Sequence, residues 1–85
     1  MRKGSELYNS QTKVLTCLRQ IHDLEEREIK REHHLVADLG MDSLDHIEFI
    51  MLLEEAFDVD IPDDAATSVQ TVADAINFVA KFYPK

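Results

Sequence analysis

The stretch Asp38-Leu39-Gly40-Met41-Asp42-Ser43-Leu44-Asp45 decides how this chain reads. Gly40 supplies a turn, and Asp42 has the chemistry of a helix N-cap. The residues after it, about 43–57, form an apolar and acidic helix. Ser43 therefore stands at the head of a helix, with its hydroxyl exposed near the positive end of the macrodipole. First-turn N–H groups have no partner inside a helix, so a phosphate group sits well there.

A wheel at 100° per residue sorts that helix into two sides. Phe49, Ile50, Leu53, Ala56 and Phe57 make the stripe expected to face the core. Leu44 and Met51 fall on the opposite side, flanked by Glu48 and Glu55, and Ile47 lies between. One core face cannot take all this apolar surface. Apolar residues standing among carboxylates make a contact patch, although single exposed apolar residues are also ordinary on protein surfaces.

The rest of the chain reads as further helices. Ser10 is a candidate cap for a helix running to about His22, with Val14, Leu18 and Ile21 on one stripe and Leu7 and Tyr8 as a possible backward extension. Residues 23–34 are charged and weakly patterned, with Leu24 and Ile29 their only large apolar residues. They read as a long surface loop with a helical turn or two. Leu35, Val36 and Leu39 then return to the core. Pro62 suits the first turn of a short helix near 63–67, with Ile61 pinned inward. Thr71 caps a last helix to about Phe82, whose stripe is Val72, Ile76, Val79 and Tyr83, with Ala75 and Phe82 alongside and Asp74, Asn77 and Lys81 outside. Pro84 ends it. The expectation is an all-α bundle of three long helices and one short one, with residues 1–9 an extension and 10–85 the domain.

Composition narrows the function. Eighty-five residues make one small domain, and 45% hydrophobic residues with only two Gly and two Pro argue against disorder. The net charge is −8. Residues 38–64 hold ten Asp/Glu and no Lys or Arg, all around Ser43. Such a field repels nucleic acid and attracts basic protein surfaces. No apolar run approaches the roughly 18 residues of a membrane span, and the first residues lack the apolar stretch of a signal peptide. The single cysteine, Cys17, excludes an internal disulfide framework and reads as a small buried hydrophobe. A cytoplasmic monomer is expected.

Taken together, Asp38-Leu39-Gly40-Met41-Asp42-Ser43-Leu44, then Glu48, Leu53-Glu54-Glu55-Ala56-Phe57, Ile61-Pro62-Asp63 and Thr71-Val72 resemble the acyl carrier proteins, over roughly residues 10–83. The resemblance implies a four-helix fold and 4'-phosphopantetheine joined to Ser43 by a phosphodiester, with Asp42 and Leu44 beside it. It implies a phosphopantetheinyl transferase as partner. It also implies that enzymes of fatty-acid, lipid or polyketide synthesis with basic patches dock on Asp42, Leu44, Asp45, Ile47, Glu48, Met51, Glu54 and Glu55. The chain would carry acyl groups as thioesters and catalyse nothing itself. Met41, His46, the His33-His34 pair and Cys17 depart from the usual pattern. They leave open a dedicated carrier of aminoacyl or other acyl groups in a specialised pathway. A cofactor-free helical docking module is the more distant alternative.

Two other chemistries fit poorly. A serine nucleophile in G-x-S-x-G needs both glycines, and here Asp42 follows Met41 and Asp45 stands at the second glycine position. His46, three residues on from Ser43, is the one candidate base, and solvent exposure is its plainer reading. The four histidines make no H-E-x-x-H motif, and the loop from Asp58 lacks the glycine and closing glutamate of an EF-hand. No metal site is expected, though clustered carboxylates could hold divalent ions weakly.

Overall fold

The structure, a computed structural model, describes residues 3–21, 24 and 28–81, with side chains from residue 10 onward. It is an all-α bundle of four helices: α1 (Lys3–Leu18), α2 (Ser43–Phe57), α3 (Asp63–Thr67) and α4 (Val72–Ala80). Among the described residues the only extended pairing is one antiparallel bridge between His34 and Thr71. Helix α1 packs against both α2 and α4.

The stripes meet as their spacing dictates. Val14 and Leu18 of α1, with Ile21 just beyond it, are buried completely. They face Phe49, Ile50, Leu53 and Phe57 of α2 and Val72, Ala75, Ile76 and Val79 of α4. Each large side chain removed from water contributes on the order of 1.5–3 kcal/mol. Thr71 caps α4 as expected: its side chain accepts from the Asp74 N–H while the Asp74 carboxylate accepts from the Thr71 N–H. Ile61 is buried between α2 and α3. Asp74, Asn77 and Lys81 face out. The expected contributions of Tyr83, Phe82 and Pro84, and of His22, lie outside the described residues.

Several expectations are corrected. Ser10 caps nothing, because α1 runs back to Lys3 and Ser10 lies inside it, fully buried with its hydroxyl unpartnered. Residues 9 and 10, where the extension was expected to give way to the domain, both lie in α1. Val36 is 54% exposed rather than in the core. The chain coils tightly from 34 to 41, and turning inward at Leu35 and Leu39 leaves Val36 pointing out. Ala56 also faces solvent. It sits at the edge of the α2 stripe, where Lys13 reaches its carbonyl (3.5 Å) and covers the Phe57 ring. Pro62 stands one residue before α3, as its N-cap.

The long loop is better anchored than its charge suggested. Leu24 is buried and Ile29 packs on the core. Backbone bonds from Leu35 N to Gln70 O (2.8 Å), Val72 N to His33 O (3.0 Å) and Ala73 N to Arg31 O (2.8 Å) tie it to the start of α4. Residues 28–34 make a single hydrogen-bonded turn, His33 N to Lys30 O, and no helix.

Candidate functional site

The head of α2 is built by two interlocking devices. The first is the turn before it. Gly40 adopts φ +72°, the left-handed region that favours glycine. The coil of residues 34–41 is held by Asp38 N and Leu39 N to His34 O, Gly40 N to Val36 O and Met41 N to Leu35 O. His34 pins it from inside. Its N–H donates to the Asp38 carboxylate (2.7 Å), and its ring Nδ1 accepts from the N–H groups of Val36 and Ala37 (3.1 Å each). The second device is a capping box. The Asp42 carboxylate accepts from Asp45 N (2.9 Å), and the Asp45 carboxylate accepts from Asp42 N (3.2 Å). Ser43 is left as the first residue of α2, exposed, on a rigid corner.

Beside Ser43 lies an open hollow of about 590 Å³. Its buried apolar lining is Leu35, Met41 and Val69, and its upper walls include Val36, His46 and Ile47. An exposed hydroxyl at a helix N-terminus next to an apolar hollow suits a phosphate-linked arm that carries something greasy. The residues present therefore fit a phosphopantetheine group.

Along the outer side of α2, Leu44 is 74%, Met51 59% and Ile47 55% exposed. Ile47, placed between the two sides by the wheel, joins the outward face. With Glu48, Glu54, Glu55 and Asp58 these residues line a second groove of about 600 Å³. The eight residues expected to meet partners differ in exposure: Asp42, Leu44, Ile47, Glu48, Met51 and Glu55 are exposed, and Asp45 and Glu54 are half-buried. Asp42 and Asp45 hold the cap, and Glu54 accepts from Ile61 N (2.8 Å), bracing the connection to α3.

Among the described residues, His33, His34 and His46 have structural partners. His46 is half-buried, not solvated as its plainer reading had it: its Nε2 lies 3.2 Å from the carbonyl oxygen of Val69, to which it must donate. His33 Nδ1 accepts from Lys30 N (3.0 Å). Sequence reasoning missed Val36, His46 and Val69 as lining of the hollow. The last two meet across 23 positions, which no local pattern reveals. Cys17 is buried as expected, and burial pushes its thiol pKa up against the opposing pull of Lys13. Among the described residues no group of three or more His, Cys, Asp or Glu side chains is arranged to hold a metal ion. Nor, among them, is any helix long and apolar enough to cross a membrane.

Comparison with known proteins bears on the same residues. Residues 12–79 match the family described as "Phosphopantetheine attachment site". The chain is similar to an acyl carrier protein of Prochlorococcus marinus, with 45% identity over 67 residues, covering 79% of this chain and 84% of the relative. It is similar also to an acyl carrier protein of a Sulfurovum species, with 54% identity over 52 residues, covering 61% of this chain and 69% of the relative.

Proposed function

The chain belongs to the phosphopantetheine-binding acyl carrier proteins, carriers rather than enzymes with a covalent 4'-phosphopantetheine, and from that premise we propose that Ser43 is the attachment residue. The observation that carries this reading is the exposed Ser43 hydroxyl at the head of α2, on the rim of an apolar hollow. When bound, the arm supplies a terminal thiol on which acyl groups ride as thioesters. The residues of the chain do the rest. The Asp42–Asp45 box fixes the corner that presents the Ser43 hydroxyl to a phosphopantetheinyl transferase. Leu35, Met41 and Val69 give an acyl chain a place out of water, at roughly 0.8 kcal/mol per buried methylene. That apolar floor favours alkyl cargo, and so delivery to enzymes of fatty-acid, lipid or polyketide synthesis, over small polar cargo.

Docking falls to the outward face of α2. Glu48 and Glu55 steer a basic partner surface into fast, salt-sensitive encounter. Leu44, Ile47 and Met51 then set register with a small apolar contact. Weak, quick binding suits repeated handoff, because the tether raises the effective concentration of the cargo at the docked enzyme. Like charges around this face repel a second copy, which supports a monomer. The lone buried thiol accords with a reducing compartment, and we place the protein in the cytoplasm. Peptide mass mapping after loading from coenzyme A tests the assignment: the added group belongs on the fragment bearing Ser43, and finding it on a fragment bearing Ser10 or Ser68 contradicts it.

A further inference from the structure

The hollow beside Ser43 has a neighbour. A second hollow of about 380 Å³ opens between α2 and α3, with buried Ile50 and Ile61 in its lining and Ala66 on its far wall. The two hollows share three lining residues: His46, Ile47 and Thr67. Of these, Ile47 and Thr67 are exposed, and His46 is the half-buried one. Its ring reaches from the first turn of α2 to the carbonyl of Val69, on the connection between α3 and α4. The side chain of Val69 belongs to the buried lining of the first hollow. A tethered imidazole thus spans from one wall to the other where the two spaces meet. The helix just before Val69 is lightly held, since α3 has no buried residue and its N-cap makes no side-chain hydrogen bond.

We infer that His46 is a specificity-determining residue: a hydrogen-bonded partition that confines a short acyl chain to the hollow beside Ser43 and admits a longer one to the α2–α3 hollow only by swinging off Val69. The inference rests on Ser43 carrying the arm. A chain that fits the first hollow leaves the bond intact. A longer chain must break the Nε2–H bond to Val69 before Ile50 and Ile61 become available to it. Buried methylenes stop adding stability at the chain length where the partition is met.

The test uses the whole chain, loaded through Ser43 with saturated acyl groups of increasing length, as wild type, His46→Ala and His46→Gln. Intact mass first reports whether each protein is loaded. Absence of loading contradicts the reading of Ser43 itself, separately from the partition. On loaded protein, melting temperature is followed against chain length. In wild type the gain levels off early. In His46→Ala the plateau moves to longer chains by about two carbons or more, each further methylene adding its own burial. His46→Gln, whose amide can still donate to the Val69 carbonyl, keeps a plateau near wild type. An equal plateau in wild type and His46→Ala, or no dependence on length in either, overturns the inference. A second measurement needs no variant: the His46 ring NMR signals hold one position across the short-chain loaded forms and shift further once the plateau is passed. A ring signal that is the same at every length overturns it as well.

Discussion

Asp42 and Asp45 grip each other across Ser43, each carboxylate accepting the other's backbone N–H, at 2.9 and 3.2 Å. The pair satisfies donors that would otherwise face solvent at the head of α2 and fixes the direction in which the serine points. Replacing either with Ala is expected to lower stability by about 1 kcal/mol in urea denaturation. Asp42→Asn, which keeps an accepting oxygen, is expected to lose much less. Loading of Ser43 should slow in both alanine variants even under conditions where they remain folded.

The outward face of α2 separates docking from stability. Leu44→Ala, Ile47→Ala and Met51→Ala are expected to change stability by no more than about 0.5 kcal/mol, since these side chains are already largely in water. They should raise the KM of a phosphopantetheinyl transferase for this protein. Glu48→Gln should flatten the dependence of that KM on salt. Glu54 is different: Glu54→Ala removes the acceptor of Ile61 N and should lower stability by about 1 kcal/mol.

Much of this was readable from residue types alone. Asp42 and Thr71 announce their helices because a short side-chain oxygen just ahead of an apolar period is the local solution for orphan N–H groups. The stripes of α2 and α4 follow from a period that a core must obey. The place of Ser43 at the head of α2 was readable for the same reason. What escaped has physical causes. The start of α1 was misplaced because Ser10, a good cap by composition, is buried without a partner inside the helix. Val36 sits in a coil rather than a helix or strand, so no fixed period says which way it points. Glu54 and Asp45 look like their acidic neighbours, and only the fold reveals that Ile61 N and Asp42 N claim them. The bond from His46 to Val69 joins elements whose approach no local pattern encodes.

Acid should expose the cap of α4. The Asp74 carboxyl is held below its ordinary value of 3.8, chiefly by the backbone N–H of Gln70, against the opposing effect of desolvation, with the backbone N–H and hydroxyl of Thr71 and the electrostatic pull of the nearby His34 adding to it. A lowered native pKa means that the folded state binds this proton less readily than the unfolded chain. The contribution of Asp74 is therefore complete above 3.8 and disappears as pH falls through the lowered native value. The difference in melting temperature between wild type and Asp74→Ala is expected to hold steady near neutrality and to shrink in that acid range. A constant difference throughout would contradict this role.

The Cys17 thiol should report unfolding. Burial raises its pKa from 9.0, so the native protein keeps it protonated and covered. A maleimide is expected to leave it untouched in the native state and to label it as denaturant opens the fold. Because its native pKa is raised, its contribution to stability is complete below 9.0 and falls as pH rises through the higher native value. Labelling at the rate of a free thiol in the native protein would contradict its burial.

The assignment of Ser43 is tested most directly by intact mass after incubation with coenzyme A, magnesium and a broad-specificity phosphopantetheinyl transferase, on wild type and Ser43→Ala side by side. The account predicts a gain of one phosphopantetheinyl group in wild type and none in Ser43→Ala, with circular dichroism showing both folded. The same gain in Ser43→Ala, or none in wild type while the transferase modifies a control carrier, would contradict it.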